Sequence, residues 1–166
     1  VMGRIPGTTS WQPLASGEQP IEVPGVLVVL FAAPLYFANA GHFRAQIDKA
    51  LGHLPSRPQV LVLDVVGMHD IDFTGTRALK DVLDELDRQR VAFATARPGR
   101  HLIENLARSG LLNRIGSDYL YSSVHEPVSA RCPPTHTQCP RADGPANHGL
   151  ARRFWLFGLG DSPLVR

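Results

Sequence analysis

The stretch Val60-Leu61-Val62-Leu63-Asp64-Val65-Val66-Gly67-Met68-His69-Asp70-Ile71-Asp72-Phe73-Thr74-Gly75, with the periodic segment after it, decides the fold. Val60 to Leu63 is a short apolar run closed by Asp64, with the length and composition of a buried strand. Gly67 to Asp70 is a turn. Beyond Gly75 the apolar residues Ala78, Leu79, Val82, Leu83 and Leu86 recur three and four apart, which places them on one face of a helix. Arg77, Lys80, Asp81, Asp84, Glu85 and Arg88 fall on the other face. The stretch therefore predicts a strand, a tight loop and an amphipathic helix. Asp72 or Thr74 is expected near the N-cap, where a side-chain oxygen satisfies N–H groups that have no partner inside the helix.

Working outward, Val26 to Phe31 is another β-branched apolar run, bounded by Pro24-Gly25 and Pro34. Leu35 to Phe37 is expected as a short strand, with Tyr36 and Phe37 packed in the core. Asn39 is the expected cap of a helix whose apolar stripe is Phe43, Ile47, Ala50 and Leu51. On the other side, Val91 to Thr95 reads as a strand, and Pro98-Gly99 separates it from a helix with Leu102, Ile103, Leu106 and Ala107 on one face. Gly110 is expected to end that helix, and Tyr119 to Tyr121 reads as a strand. Ser123 and Glu126 have capping-box spacing for a last helix, which Pro127 should keep short. Strands and helices alternating through short connections predict an α/β domain.

Composition bounds the function. A chain of 166 residues with 43% hydrophobic and 19% charged residues fits one ordinary globular domain. A net charge of +2 is too small to argue for nucleic acid. No run of about 20 apolar residues is present to span a bilayer. The start, Val1-Met2-Gly3-Arg4, lacks the apolar region of a signal peptide and reads as a cut in a longer chain. Residues 1–25, rich in Gly, Pro, Ser and Thr, read as a linker with at most one short strand near Trp11. Residues 26–130 read as the domain. Residues 131–166, with five prolines and a Gly-rich stretch, read as an irregular or disordered tail. Its apolar cluster Phe154-Trp155-Leu156-Phe157 lies beside Arg152 and Arg153.

The usual marks of catalysis do not emerge. There is no G-x-x-x-x-G-K-[ST] loop, no G-x-G-x-x-G after a strand and no G-x-S-x-G elbow. Cys132, His136, Cys139 and His148 have a spacing that fits no common zinc finger, so no metal is expected. Asp64, Asp70 and Asp72 cluster near the central loop, and such carboxylates more often cap helices and strand ends than do acid–base work. The N-terminus of the helix after Asp72 offers free N–H groups and a positive dipole end, which favour a phosphate on Thr74 or on a bound nucleotide.

Leu63-Asp64, followed by Ile71-Asp72-Phe73-Thr74-Gly75 opening a helix, resembles the core motif of STAS domains. These are the anti-sigma-factor antagonists and the C-terminal cytoplasmic domains of SulP-type sulfate permeases. Ala33-Pro34-Leu35-Tyr36-Phe37-Ala38-Asn39-Ala40 and Gly3-Arg4-Ile5-Pro6-Gly7-Thr8 resemble permease signatures, and Leu111-Leu112-Asn113-Arg114-Ile115-Gly116 resembles a turn of the family. The resemblance implies a mixed β-sheet flanked by helices and a regulatory, non-enzymatic role at the cytoplasmic face of the membrane. It implies a transporter's membrane domain as partner, with a regulatory protein or a nucleotide as further ligands. The antagonists' phosphoacceptor position is Thr74 here, beside Asp72 and Gly75, and the strand-end carboxylate is Asp64. Where the family has Asp-Ser-Ser-Gly, this chain has Asp72-Phe73-Thr74-Gly75. The alternative is a free-standing antagonist working as a phosphorylation-dependent partner switch.

Overall fold

In a computed structural model, residues 1–4, 11–13 and 23–130 are described. In order they form β1 (Met2–Arg4), β2 (Trp11–Pro13), β3 (Val26–Leu30), α1 (Phe37–Gly52), β4 (Val60–Asp64), α2 (Phe73–Gln89) and β5 (Ala92–Ala96). Then follow α3 (Arg100–Arg108), α4 (Leu111–Ile115), a 3-10 turn at Ser117–Tyr119, β6 (Leu120–Tyr121) and α5 (His125–Ala130). The α/β class and the flanking helices match the sequence reading. Cys132, His136, Cys139, His148 and the cluster at residues 154–157 lie outside the described residues, as does most of Gly3 to Thr8.

Strands β3, β4, β5 and β6 form one parallel sheet in chain order. Val26 pairs with Val60, Val60 with Ala92, and Thr95 with Leu120. Parallel strands need long crossovers, and α1, α2 and the α3–α4 pair supply them. Alternation along each strand then divides the core. Leu27 and Val29, with Leu61 and Leu63, face a layer made by Phe43 and Ile47 of α1, Leu79 and Leu83 of α2, and Leu102 and Leu106 of α3. Val28, Val62, Ala94 and Ala96 face the other way, onto Met2, Val124 and Val128. Strands buried on both faces read as continuous apolar runs, which is why Val60 to Leu63 shows no polar alternation.

Several local expectations change. Among the described residues two strands, not one, precede residue 25: β1 and β2 pair antiparallel, and Met2 is buried against the sheet. Leu35 makes a single parallel bridge with Ile71 instead of a strand, and helix begins at Phe37. Tyr36 and Phe37 are exposed, not packed in the core. The N-cap of α1 is Tyr36; Asn39 sits one turn in, and its Oδ1 accepts from the Tyr36 N–H at 2.9 Å. β5 lies one residue later than the apolar run suggests. Pro127 falls in the first turn of α5, where its missing N–H would have had no partner inside the helix anyway. The Ser123 Oγ accepts from the Glu126 N–H as the capping spacing predicts.

Candidate functional site

The loop after β4 folds back toward β3. Gly67 packs so closely on the backbone of Ala32 that a Cβ there would come within 2.6 Å of it. Gly75, in the first turn of α2, lies against the Leu35 carbonyl with no room for any side chain. Backbone bonds close the arrangement: Leu35 donates to the Asp70 carbonyl at 3.0 Å, and Asp72 donates to the Leu35 carbonyl at 3.1 Å. The start of α1 and the start of α2 are thereby side by side.

One carboxylate serves both. Asp72 is the N-cap of α2, and its Oδ1 accepts from the Gly75 N–H at 2.6 Å. Its Oδ2 accepts from the Phe37 N–H, the first of α1, at 2.9 Å. A negative group between two helix N-termini is favoured by both dipoles. Thr74 is therefore not the cap; it is the second residue of α2, exposed, with no hydrogen bond from its hydroxyl to any described residue. The cap has already taken the Gly75 N–H, which leaves those of Phe73 and Thr74 for another acceptor.

Asp64 stands apart from this turn. It is fully buried at the end of β4, and its carboxylate is gripped by the Arg97 guanidinium through Nε at 3.0 Å and through Nη2. The Val66 N–H adds a bond at 3.3 Å. This fork-to-carboxylate hydrogen bonding, with the charge of Asp64 behind it, raises the Arg97 pKa above its ordinary value. Of the four residues singled out in the sequence, Asp72, Thr74 and Gly75 come together in one turn, and Asp64 belongs to this neighbouring ion pair.

Arg97 and the surroundings of Asp70 escaped the sequence reading. Asp64 pairs in register with Ala96, the last residue of β5, so an Arg one residue past the end of the adjacent strand is a signal that pairing reveals. Arg97 adopts a left-handed backbone, φ 57°, at the end of its strand. Asp70 collects the Ile71 N–H at 2.8 Å, the Tyr36 hydroxyl at 3.0 Å and the Asn105 amide at 2.6 Å. Those donors hold its pKa below the ordinary value, the backbone N–H most of all, and the bond to Asp70 raises the Tyr36 pKa.

An open groove of about 900 Å³ lies elsewhere, between the C-terminal halves of α1 and α2. Leu51, Leu54 and Val82 line it, and Arg44 and Asp81 on its rim pair with each other at 2.8 Å. It is remote from the Asp72 turn. Among the described residues no group of three or more His, Cys, Asp or Glu could hold a metal ion, and no helix is long and apolar enough to cross a membrane.

The family model described as "STAS domain" matches residues 19–127, from before β3 into α5, and so spans the Asp72 turn. The chain belongs to the STAS domain family. A curated relative, the "Probable sulfate transporter" of Mycobacterium tuberculosis, is 32% identical over 130 residues, which is 78% of this chain and 23% of the relative. The STAS domain of a SulP transporter from Vibrio cholerae superposes with a TM-score of 0.53 at 20% identity, over 64% of this chain and 80% of that one. The murine Slc26a9 anion transporter gives a TM-score of 0.69 at 21% identity, over 78% of this chain and 21% of that one. These structures share the fold. The STAS chain spans between a fifth and a quarter of the length of the curated sulfate transporters it matches.

Proposed function

We propose that this STAS domain is the regulatory, non-catalytic part of a SulP-type sulfate or anion transporter, held at the cytoplasmic face of the membrane. The observation that carries the reading is the match itself: some four-fifths of this chain aligns with one domain-sized portion of much longer sulfate transporters. Movement of the anion would belong to the membrane domain, its first partner. The regulatory element would be the first turn of α2. Thr74 presents a free hydroxyl there, next to N–H groups that can receive a phosphate on Thr74 itself, on a nucleotide or on a partner protein. In this reading Asp72 is the cap that fixes the turn, Gly75 is the close approach to Leu35 that positions it, and Asp64 anchors the neighbouring strand end.

The test is sulfate uptake by cells expressing the full-length protein at matched membrane levels. Thr74→Ala and Thr74→Glu should both fold and should shift uptake in different ways. If uptake, partner binding and nucleotide binding ignore both changes, Thr74 is only a surface residue. The free-standing antagonist would use the same Thr74. About ten apolar segments of roughly 20 residues encoded upstream of Val1 would favour the transporter.

A further inference from the structure

The groove between the C-terminal halves of α1 and α2 plays no part in the Asp72 turn, and its chemistry is distinct. Its floor is apolar, from Leu51, Leu54 and Val82. One wall is the connection Leu54-Pro55-Ser56-Arg57-Pro58, whose two prolines fix the backbone, so the groove is formed before anything enters it. Most of its charges are already answered. Arg44 pairs with Asp81 at 2.8 Å, Arg88 with Glu85 at 2.6 Å, and Arg114 of α4 with Asp84 at 2.6 Å. Arg57 donates to the Gln89 carbonyl at 3.2 Å, where the negative end of α2 balances it in part. Asp48, on the α1 side, has no partner among the described residues. Gly52 ends α1 on the same groove, and a Cβ there would meet nothing within 4 Å. The result is an apolar floor with one uncompensated carboxylate above it.

We propose that this groove binds a basic amphipathic helix of a separate, soluble protein. Its apolar face would lie on Leu51, Leu54 and Val82, and one Lys or Arg would reach Asp48. A helix laid in a groove between two others is a recurrent way of recognising a peptide, and the free carboxylate sets the sign of its charge. An anionic bilayer does not fit: the lining holds four carboxylates against three guanidiniums, and a lipid surface calls for a cluster of Lys and Arg. The transport part does not fit either. In the transporter reading, residues 1–25 are the linker from the membrane, and Met2 of β1 packs on the sheet face that α1 and α2 leave uncovered. The groove opens on the helix layer, turned from the side on which that linker enters. The choice of a separate protein therefore rests on the transporter reading, whereas the chemistry of the groove does not. Because the groove is remote from Thr74, a partner there leaves the first turn of α2 free.

The first arm of the experiment titrates the purified chain with a labelled helical peptide of lysine and leucine, and with the same peptide carrying glutamate for lysine. The lysine peptide should bind and shift the amide signals of Leu51, Leu54 and Val82, and the glutamate peptide should not. Asp48→Lys, which has no bond to lose, should weaken binding several-fold. Gly52→Trp places a ring in open space at the end of α1, and should weaken binding several-fold by filling the groove. Absence of binding, equal binding of the two peptides, shifts confined to other residues, or indifference to both substitutions overturns the proposal. The second arm places photoreactive benzoylphenylalanine at position 56 of the full-length protein in cells, with position 108 on α3 as control, and maps the adducts by mass spectrometry. Position 56 should capture a segment of a soluble protein that carries Lys or Arg beside apolar residues three and four apart, and Gly52→Trp should lower the yield several-fold. Adducts to lipid, to the same polypeptide, to a second copy or to a segment without that pattern, or no excess over position 108, overturn it. If the full-length protein carries no sulfate, the transporter reading fails, and the two arms still decide the groove. If it carries sulfate while either arm fails, the docking proposal alone falls.

Discussion

The body of α2 and its first turn are both apolar, and they end up in opposite places. Leu79, Val82, Leu83 and Leu86 recur at helical spacing, and all are buried between α2 and the sheet. Phe73 stands at the head of the same helix with most of its ring in solvent. The buried stripe follows from folding, because it closes the core. The exposed ring contributes nothing visible to that core, so an apolar residue there needs a reason outside the fold. Hydrophobic periodicity is thus a guide to burial only where successive turns repeat it.

The sharpest way to break this comparison is to truncate the stripe. Leu83→Ala should destabilise the purified chain by about 2–5 kcal/mol in urea titration, the usual range for emptying a packed leucine site. Lys80→Ala, one turn earlier on the exposed face, should cost under about 0.5 kcal/mol. Equal losses would mean that the two faces of α2 have been assigned wrongly.

A smaller effect is expected at the hinge between stripe and ring. Asp72→Ala removes a cap worth about 0.5–2 kcal/mol. It also removes the bond to the Phe37 N–H, a net contribution of about 0.5–1.5 kcal/mol. Asp72→Asn should keep most of the cap and lose part of the charge–dipole term. If Asp72→Ala is no worse than an ordinary surface change, the two helix starts are not joined through this carboxylate.

These elements differ in how far they could be read from sequence. The strand at Val60 and the stripe of α2 were legible because each depends on local repetition. The paired starts of α1 and α2 were not, because the Leu35–Ile71 bridge joins residues far apart in the chain and leaves no periodic trace. For the same reason Asn39 and Thr74 looked like caps: each is a good capping type near a helix start, and only the backbone decides which residue stands outside the first turn. The Asp64–Arg97 pair depends on β4 and β5 being neighbours, which is a fact of topology. Met2 is similar, since a short strand in a Gly- and Pro-rich segment is made by the sheet face it covers.

Acid should reveal Asp70, with a smaller effect than Asp72→Ala. Its pKa in the folded chain is lowered, chiefly by the Ile71 N–H and next by the Tyr36 hydroxyl. The folded value is then below the unfolded one. Its stabilising contribution is present above the unfolded value and is lost as pH falls through the folded value. Unfolding titrations between about pH 5 and pH 2 should show a steeper loss for the parent chain than for Asp70→Asn. Identical slopes would show that these hydrogen bonds do not favour the ionised form.

The smallest expected change is the most informative for function. Phe73→Ser alters a large apolar residue at the head of α2, yet it removes a ring that is 83% exposed. Almost no buried area is lost, and neither the Asp72 cap nor the Gly75 contact with Leu35 involves the ring. Stability should stay within about 0.5 kcal/mol of the parent, as for other surface substitutions. Solubility should rise if anything, because an exposed apolar patch shrinks. The same denaturant titration that reads Leu83→Ala measures this, so the two ends of the helix are compared on one scale. A loss of about 2 kcal/mol or more would put Phe73 on the side of the core. The contrast between stripe and ring would then collapse.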